Sequence, residues 1–124
     1  MLTAKGDQVK ALFHLKRALE TIPEVGDKKS LVLLRDLIYL LDWKLPIEKL
    51  SIPVDTHVAL VMYRTGLSAS ENVQDVKMAA ERLFRIPVYA DIVLWRIGKW
   101  WCFADRPCCR GCVLNDLCPK IGVE

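Results

Sequence analysis

Cys102, Cys109, Cys112 and Cys118 are four of the five cysteines in this 124-residue chain, and all five fall between residues 102 and 118. Their spacing is C-x6-C-x2-C-x5-C, with Cys108 left over. Four thiolates in one short loop can wrap a single compact inorganic centre, either a zinc ion or an iron–sulfur cluster. Zinc usually takes two separated C-x2-4-C turns. Here one tight pair is flanked by longer arms, which suits the larger 4Fe-4S cube better, with zinc as the alternative. Cys108 reads as a bystander thiol that could substitute as a ligand if the loop shifted register. The N-terminal stretch MLTAKGDQVK lacks the apolar core of a secretory signal. The longest greasy run, SLVLLRDLIYLL, is broken by Arg35 and Asp36 and is too short to span a bilayer. The expectation is a soluble, cytoplasmic protein with no membrane partner, where clustered cysteines mean metal more often than disulfide.

These residues need a scaffold, and the pattern around them is helical. Apolar residues make up 52% of the chain, with only six glycines and six prolines, as in a helical globular domain. The net charge of +3 permits an anionic partner without demanding one. Asp7 caps a first helix over 7–21, with Val9, Leu12, Phe13, Leu15 and Leu19 at spacings of three and four. Pro23 and Gly26 break it. A second helix runs from Asp27 to about Asp42 on a wide apolar stripe of Leu31, Leu34, Leu37, Ile38 and Leu41. A proline-containing connector leads to a third, capped by Asp55 or Val54 and ended by Gly66. Ser70 caps a fourth, which stops before Pro87, and a fifth spans Val88 to Trp101. No strand pattern or repeat is present. His14 reads as a surface or boundary residue, and Trp95, Trp100 and Trp101 read as packing bulk ahead of the cysteine loop rather than as a base-stacking platform.

The loop residues C-x-A-x-R-P-x-C-x-x-C-x-L-x-D-L-C, preceded by IGKWWC, resemble the cluster loop of the endonuclease III family of helix-hairpin-helix DNA glycosylases. The resemblance implies a 4Fe-4S cluster held by Cys102, Cys109, Cys112 and Cys118. Upstream, IPVDTHVALVMYRTGL resembles the same family's segment around its essential catalytic aspartate, which places that role on Asp55; Arg64 is kept, and Leu60 stands where an arginine is often found. A carboxylate there stabilises positive charge developing on a sugar or activates a nucleophile, acting on a base flipped out of the duplex. Thr56 and His57 are read as supporting residues. IPEVGDKKS resembles the family's hairpin, whose turn presents backbone N–H groups to a DNA phosphate and whose lysine attacks the sugar. Lys28 falls on the lysine position, Lys29 follows if the register slides by one, and Gly26 matches the second glycine. Glu24 replaces the first glycine, a residue expected to resist positive φ and to repel phosphate.

The resemblance covers roughly residues 22 to 118 and only the C-terminal part of the family's fold. It implies an all-α chain: a partial helix-hairpin-helix glycosylase fold, with a partial helical barrel over 1–52 and an iron–sulfur cluster domain over 53–124. The function expected is a DNA glycosylase of base excision repair, with lyase activity if Lys28 is the nucleophile, in a fragment or reduced form. Its partner would be double-stranded DNA holding a damaged base, contacted by Gly26, Lys29, Lys99, Arg106 and Arg110. A missing N-terminal segment or partner subunit is a further expectation. The rival readings are a non-catalytic 4Fe-4S nucleic-acid-binding module and a zinc-stabilised helical interaction domain.

Overall fold

A computed structural model describes residues 4–123. Five helices follow in order: α1 (Ala4–Glu20), α2 (Asp27–Leu40), α3 (Thr56–Arg64), α4 (Val73–Leu83) and α5 (Pro87–Trp100). Two 3-10 turns, Ile47–Lys49 and Cys109–Gly111, complete the set, and there is no strand among the described residues. No described helix is long and apolar enough to cross a membrane.

The helix ends follow local chemistry. The first helix already includes Ala4, so Asp7 lies within its first described turn and does not cap it. Asp55 caps α3: its backbone is extended, and its side chain accepts the Val58 N–H at 2.8 Å. Gly66 follows α3 with φ of 78°, a left-handed position that glycine takes without strain. Asn72, not Ser70, caps α4 by accepting the Gln74 N–H; the Ser70 hydroxyl instead accepts the Asn72 N–H and donates to Asp75. Pro87 opens α5 at the first turn, where its missing N–H is harmless.

Two cores result. Leu12 of α1, Leu31, Leu34 and Ile38 of α2, Leu50 and Val88 form one. Val58, Val61 and Met62 of α3, Val76 and Ala80 of α4, and Leu94 and Ile97 of α5 are among the residues of the other. Each fully buried aliphatic side chain contributes roughly 1.5–3 kcal/mol. α5 serves both cores, since Val88 lies in the first and Leu94 and Ile97 in the second. The second core extends into the cysteine loop through Trp101, Cys102, Cys112 and Leu114. Asp27 adds an ionic tie, at 2.8 Å from Lys16 of α1 and 2.7 Å from Lys77 of α4.

Candidate active-site cleft and cysteine centre

The turn between α1 and α2 carries IPEVG. The Val25 N–H donates to the Ile22 carbonyl at 3.1 Å, and Ser30 N–H reaches back to Gly26 at 2.9 Å. Glu24 adopts φ of 69°. This corrects the expectation that glutamate would refuse the conformation: the turn keeps the left-handed backbone and bears a strain of roughly 1–2 kcal/mol. Gly26 itself has φ of −97°, and a β-carbon there would meet nothing within 4 Å. Its surroundings are therefore open at the start of α2.

In the first turn of α2, the Lys28 ammonium lies 3.4 Å from an Asp55 carboxylate oxygen, although 27 residues separate them in sequence. Lys29 is exposed and makes no such contact. Asp55 divides its oxygens: Oδ1 takes the Val58 N–H, and Oδ2 takes Lys28. Its side chain is only 14% exposed, against 50% for Lys28. The same carboxylate thus caps α3, as the sequence predicts, and pairs with Lys28.

Lys28 and Asp55 open onto a cleft of ≈ 440 Å³, walled also by Arg35, Asp91, Trp95 and Arg96. Arg35 is buried and donates to the Val88 carbonyl at 2.8 Å and to Asp91 at 2.6 Å. Burial pushes the Asp91 carboxyl above the usual carboxylate range. Arg35 opposes that shift, and the charge of Asp55 adds to it. The sequence reading missed this pair. Its signal was available: Arg35 lies four residues after Leu31 and three before Ile38, and Asp91 three after Val88 and three before Leu94. Charges on buried faces need partners.

At the far end of α3, Cys102, Cys109, Cys112 and Cys118 line one pocket together with Arg64, Ile97 and Trp101. Cys108 is exposed and is not part of that lining. Three of the four pocket sulfurs accept N–H donors. Arg64 Nη1 reaches Cys102 at 3.4 Å, Leu114 N reaches Cys112 at 3.4 Å, and Lys120 N reaches Cys118 at 3.3 Å. Such N–H donors are the outer contacts that orient sulfur ligands, and the Cys118 sulfur also donates to the Arg64 carbonyl at 3.4 Å. Among the described residues no three His, Cys, Asp or Glu side chains are gathered to hold a single metal ion. Four cysteine sulfurs on one pocket match in number and type the ligands of a 4Fe-4S cluster, as they do those of a tetrahedral zinc.

Arg64 has a larger part than its mere presence in the sequence suggested. Its guanidinium also donates to the Phe103 carbonyl at 2.7 Å and the Ala104 carbonyl at 3.0 Å, clamping the start of the loop to α3. Thr56 is exposed, and His57 stacks edge-on against Trp95 with centroids 6.2 Å apart. The remaining cations singled out from the sequence, Lys99, Arg106 and Arg110, are all exposed, as is His14.

No protein-family model matches the chain. Curated relatives do. Endonuclease III of Escherichia coli is 31% identical over 105 residues, covering 83% of this chain and 46% of the relative. Endonuclease III of Treponema pallidum is 35% identical over 107 residues, and that of Haemophilus influenzae 30% over 105, with the same coverage of 83% and 46%. The chain is therefore similar in sequence to the C-terminal part of endonuclease III and spans about half the length of the curated relatives it matches.

Proposed function

We propose that this relative of endonuclease III is the catalytic and cluster-bearing part of a base-excision DNA glycosylase with lyase activity. The observation that carries the reading is the 3.4 Å approach of Lys28 to Asp55 inside an open cleft. In this reading Asp55 accepts a proton from the Lys28 ammonium, freeing the amine. The amine attacks C1′ of the nucleotide as the glycosidic bond breaks, and the base leaves with the bonding electrons and takes the proton from Asp55, which returns to its carboxylate form. Ring opening at C1′ then gives an imine on Lys28 as the amine proton passes to the ring oxygen; loss of a C2′ proton to water forms the C2′=C3′ double bond and expels the 3′ phosphate. Asp55 also faces the positive charge that develops on the sugar. The buried Arg35–Asp91 pair fixes the cleft floor.

Cys102, Cys109, Cys112 and Cys118 would hold a 4Fe-4S cluster, which supplies structural cross-linking of the loop. Gly26, Lys29, Lys99, Arg106 and Arg110 would contact the DNA backbone. The division into a segment at 1–52 and a cluster domain at 53–124 is part of the same proposal, as is supply of the remaining barrel by a further segment or subunit.

Borohydride trapping on damaged duplex DNA tests the reading, because reduction turns the imine into a stable amine. The expected result is a cross-linked species lost in Lys28→Ala and retained in Lys29→Ala. Trapping that survives Lys28→Ala would sink the assignment. A second reading, a non-catalytic nucleic-acid-binding module, is favoured by Glu24 beside the phosphate-facing turn. It predicts binding without any trapped species, unchanged by Asp55→Asn. Iron and sulfide analysis settles the cofactor: about four of each per chain is expected for one cube, and zinc alone would remove it.

A further inference from the structure

α5 has an outer face as well as a buried one. Along it stand Ile92, Trp95, Arg96, Lys99 and Trp100, at helical spacings of three and four. Trp95 is 40% exposed and Trp100 56% exposed. Both indoles also pack in part: Trp100 lies edge-on against Trp101 with centroids 5.7 Å apart, and Trp101 is half-buried against the cysteine pocket. Each exposed ring is paired with a cation. The Arg96 guanidinium lies 5.8 Å from the Trp100 ring, and the Lys99 ammonium 6.0 Å from the Trp95 ring. The only acid in α5 is Asp91, which is engaged by Arg35. Trp95 and Arg96 belong to the same cleft wall as Lys28 and Asp55.

From this we infer that the outer face of α5 is a stacking platform for unpaired bases of a nucleic-acid strand. Trp95 would take the base nearest the cleft, and Arg96 and Lys99 would meet the adjoining phosphates. The inference rests on the glycosylase reading of the cleft and deepens it, by naming what holds the strand once a nucleotide has left the duplex. Alternating indoles and cations are what a polymer of flat bases and anionic links requires. An indole stacks on any base, and a nearby cation neutralises a phosphate and releases counterions. The edge-on His57 ring fixes Trp95 from behind, which reduces the ordering needed on binding.

The test uses the full chain as purified and a short fluorescein-labelled oligothymidylate, read by anisotropy. Trp95→Leu is expected to weaken binding about tenfold, the scale of one lost base stack. Trp95→Phe retains a stacking face and is expected to stay near parent affinity, which separates stacking from misfolding. Lys99→Ala should flatten the salt dependence by about one phosphate contact, and Trp95→Leu should leave it unchanged. Equal oligothymidylate affinity in parent and Trp95→Leu overturns the platform. So does Trp95-dependent binding to anionic lipid vesicles in place of the oligonucleotide. Failure of borohydride trapping with the Trp95 effect intact would sink the glycosylase chemistry alone. Trapping with no Trp95 effect would sink the platform alone.

Discussion

Gly98 marks the place where α5 crosses α3. A β-carbon added there would lie 2.8 Å from the His57 β-carbon, 3.2 Å from the His57 carbonyl oxygen and 3.3 Å from its α-carbon. Carbon contacts settle at about 3.5–4.0 Å, so Gly98→Ala forces the two helices apart by roughly 1 Å. The obstacles are backbone atoms and a β-carbon, none of which can rotate away. Overpacking of this kind costs about 1–3 kcal/mol, while alanine in place of glycine returns about 1 kcal/mol of helix propensity. Because the clash is with backbone, the upper half of the overpacking range applies, and the net loss is about 1–2 kcal/mol. His57 is two residues past Asp55, so the displacement also pulls the carboxylate from Lys28, already at 3.4 Å. Urea denaturation should show a lower midpoint with an unchanged slope, and borohydride trapping should fall. Gly111→Ala is the control, since its added carbon would meet only side-chain atoms, none nearer than 3.4 Å. A Gly98→Ala chain as stable as the parent would refute the reasoning, because it would mean that α3 and α5 do not meet through backbone.

Arg64→Lys keeps the charge but can serve only one of the two loop carbonyls; a loss of about 2 kcal/mol is expected by denaturation, with faster loss of visible absorbance. Glu24→Gly relieves the positive φ and removes a negative charge from the hairpin, so stability should rise by about 1 kcal/mol and duplex binding should tighten. Burial pushes Asp27 up, but Lys16 and Lys77 outweigh it and hold the carboxyl below its ordinary value. A depressed carboxylate stabilises above the unfolded value of about 4 and loses that contribution as pH falls through the lower folded one. The parent should therefore lose stability below about pH 4 more steeply than Asp27→Asn does. The difference should stay under about 1 kcal/mol because the carboxylate is half exposed.

Periodicity and caps made the helices legible, because Pro23, Gly26, Asp55, Gly66 and Pro87 punctuate the chain with residues whose backbone needs are strong. The cysteine spacing was equally readable, since four thiols within one loop can hardly avoid a common pocket. Tertiary choices were less so. Whether Lys28 or Lys29 faces Asp55 depends on the rotation of α2, which Leu31 and Leu34 set by docking on Leu12. Glu24 was misjudged because local preference, worth only about 1–2 kcal/mol, yields to the packing of two helices around the turn. The partial exposure of Trp95 and Trp100 was not legible, because an apolar residue in an amphipathic helix carries no mark saying which of two faces is covered. Arg35 and Asp91 were overlooked because each looks like ordinary surface charge until its neighbours at three and four residues are counted.

The two candidate sites share α3. Nine residues at about 1.5 Å rise place Asp55 and Arg64 roughly 13 Å apart along one rigid axis. At the first end, Asp55 is both cap and partner of Lys28, so its carboxylate cannot move without the helix start moving too. At the other, the Arg64 guanidinium grips the Phe103 and Ala104 carbonyls, and its own carbonyl accepts the Ile121 N–H at 3.0 Å. Between them, Gly98 lets α5 close on His57, and α5 brings Trp95 and Asp91 into the cleft. A loop that lost its fold would leave Arg64 buried without acceptors, a penalty that α3 could escape only by shifting. The cysteine loop therefore holds the cleft in register although none of its sulfurs lines that cleft, and damage to it should be read first as a lost alignment of Asp55 with Lys28.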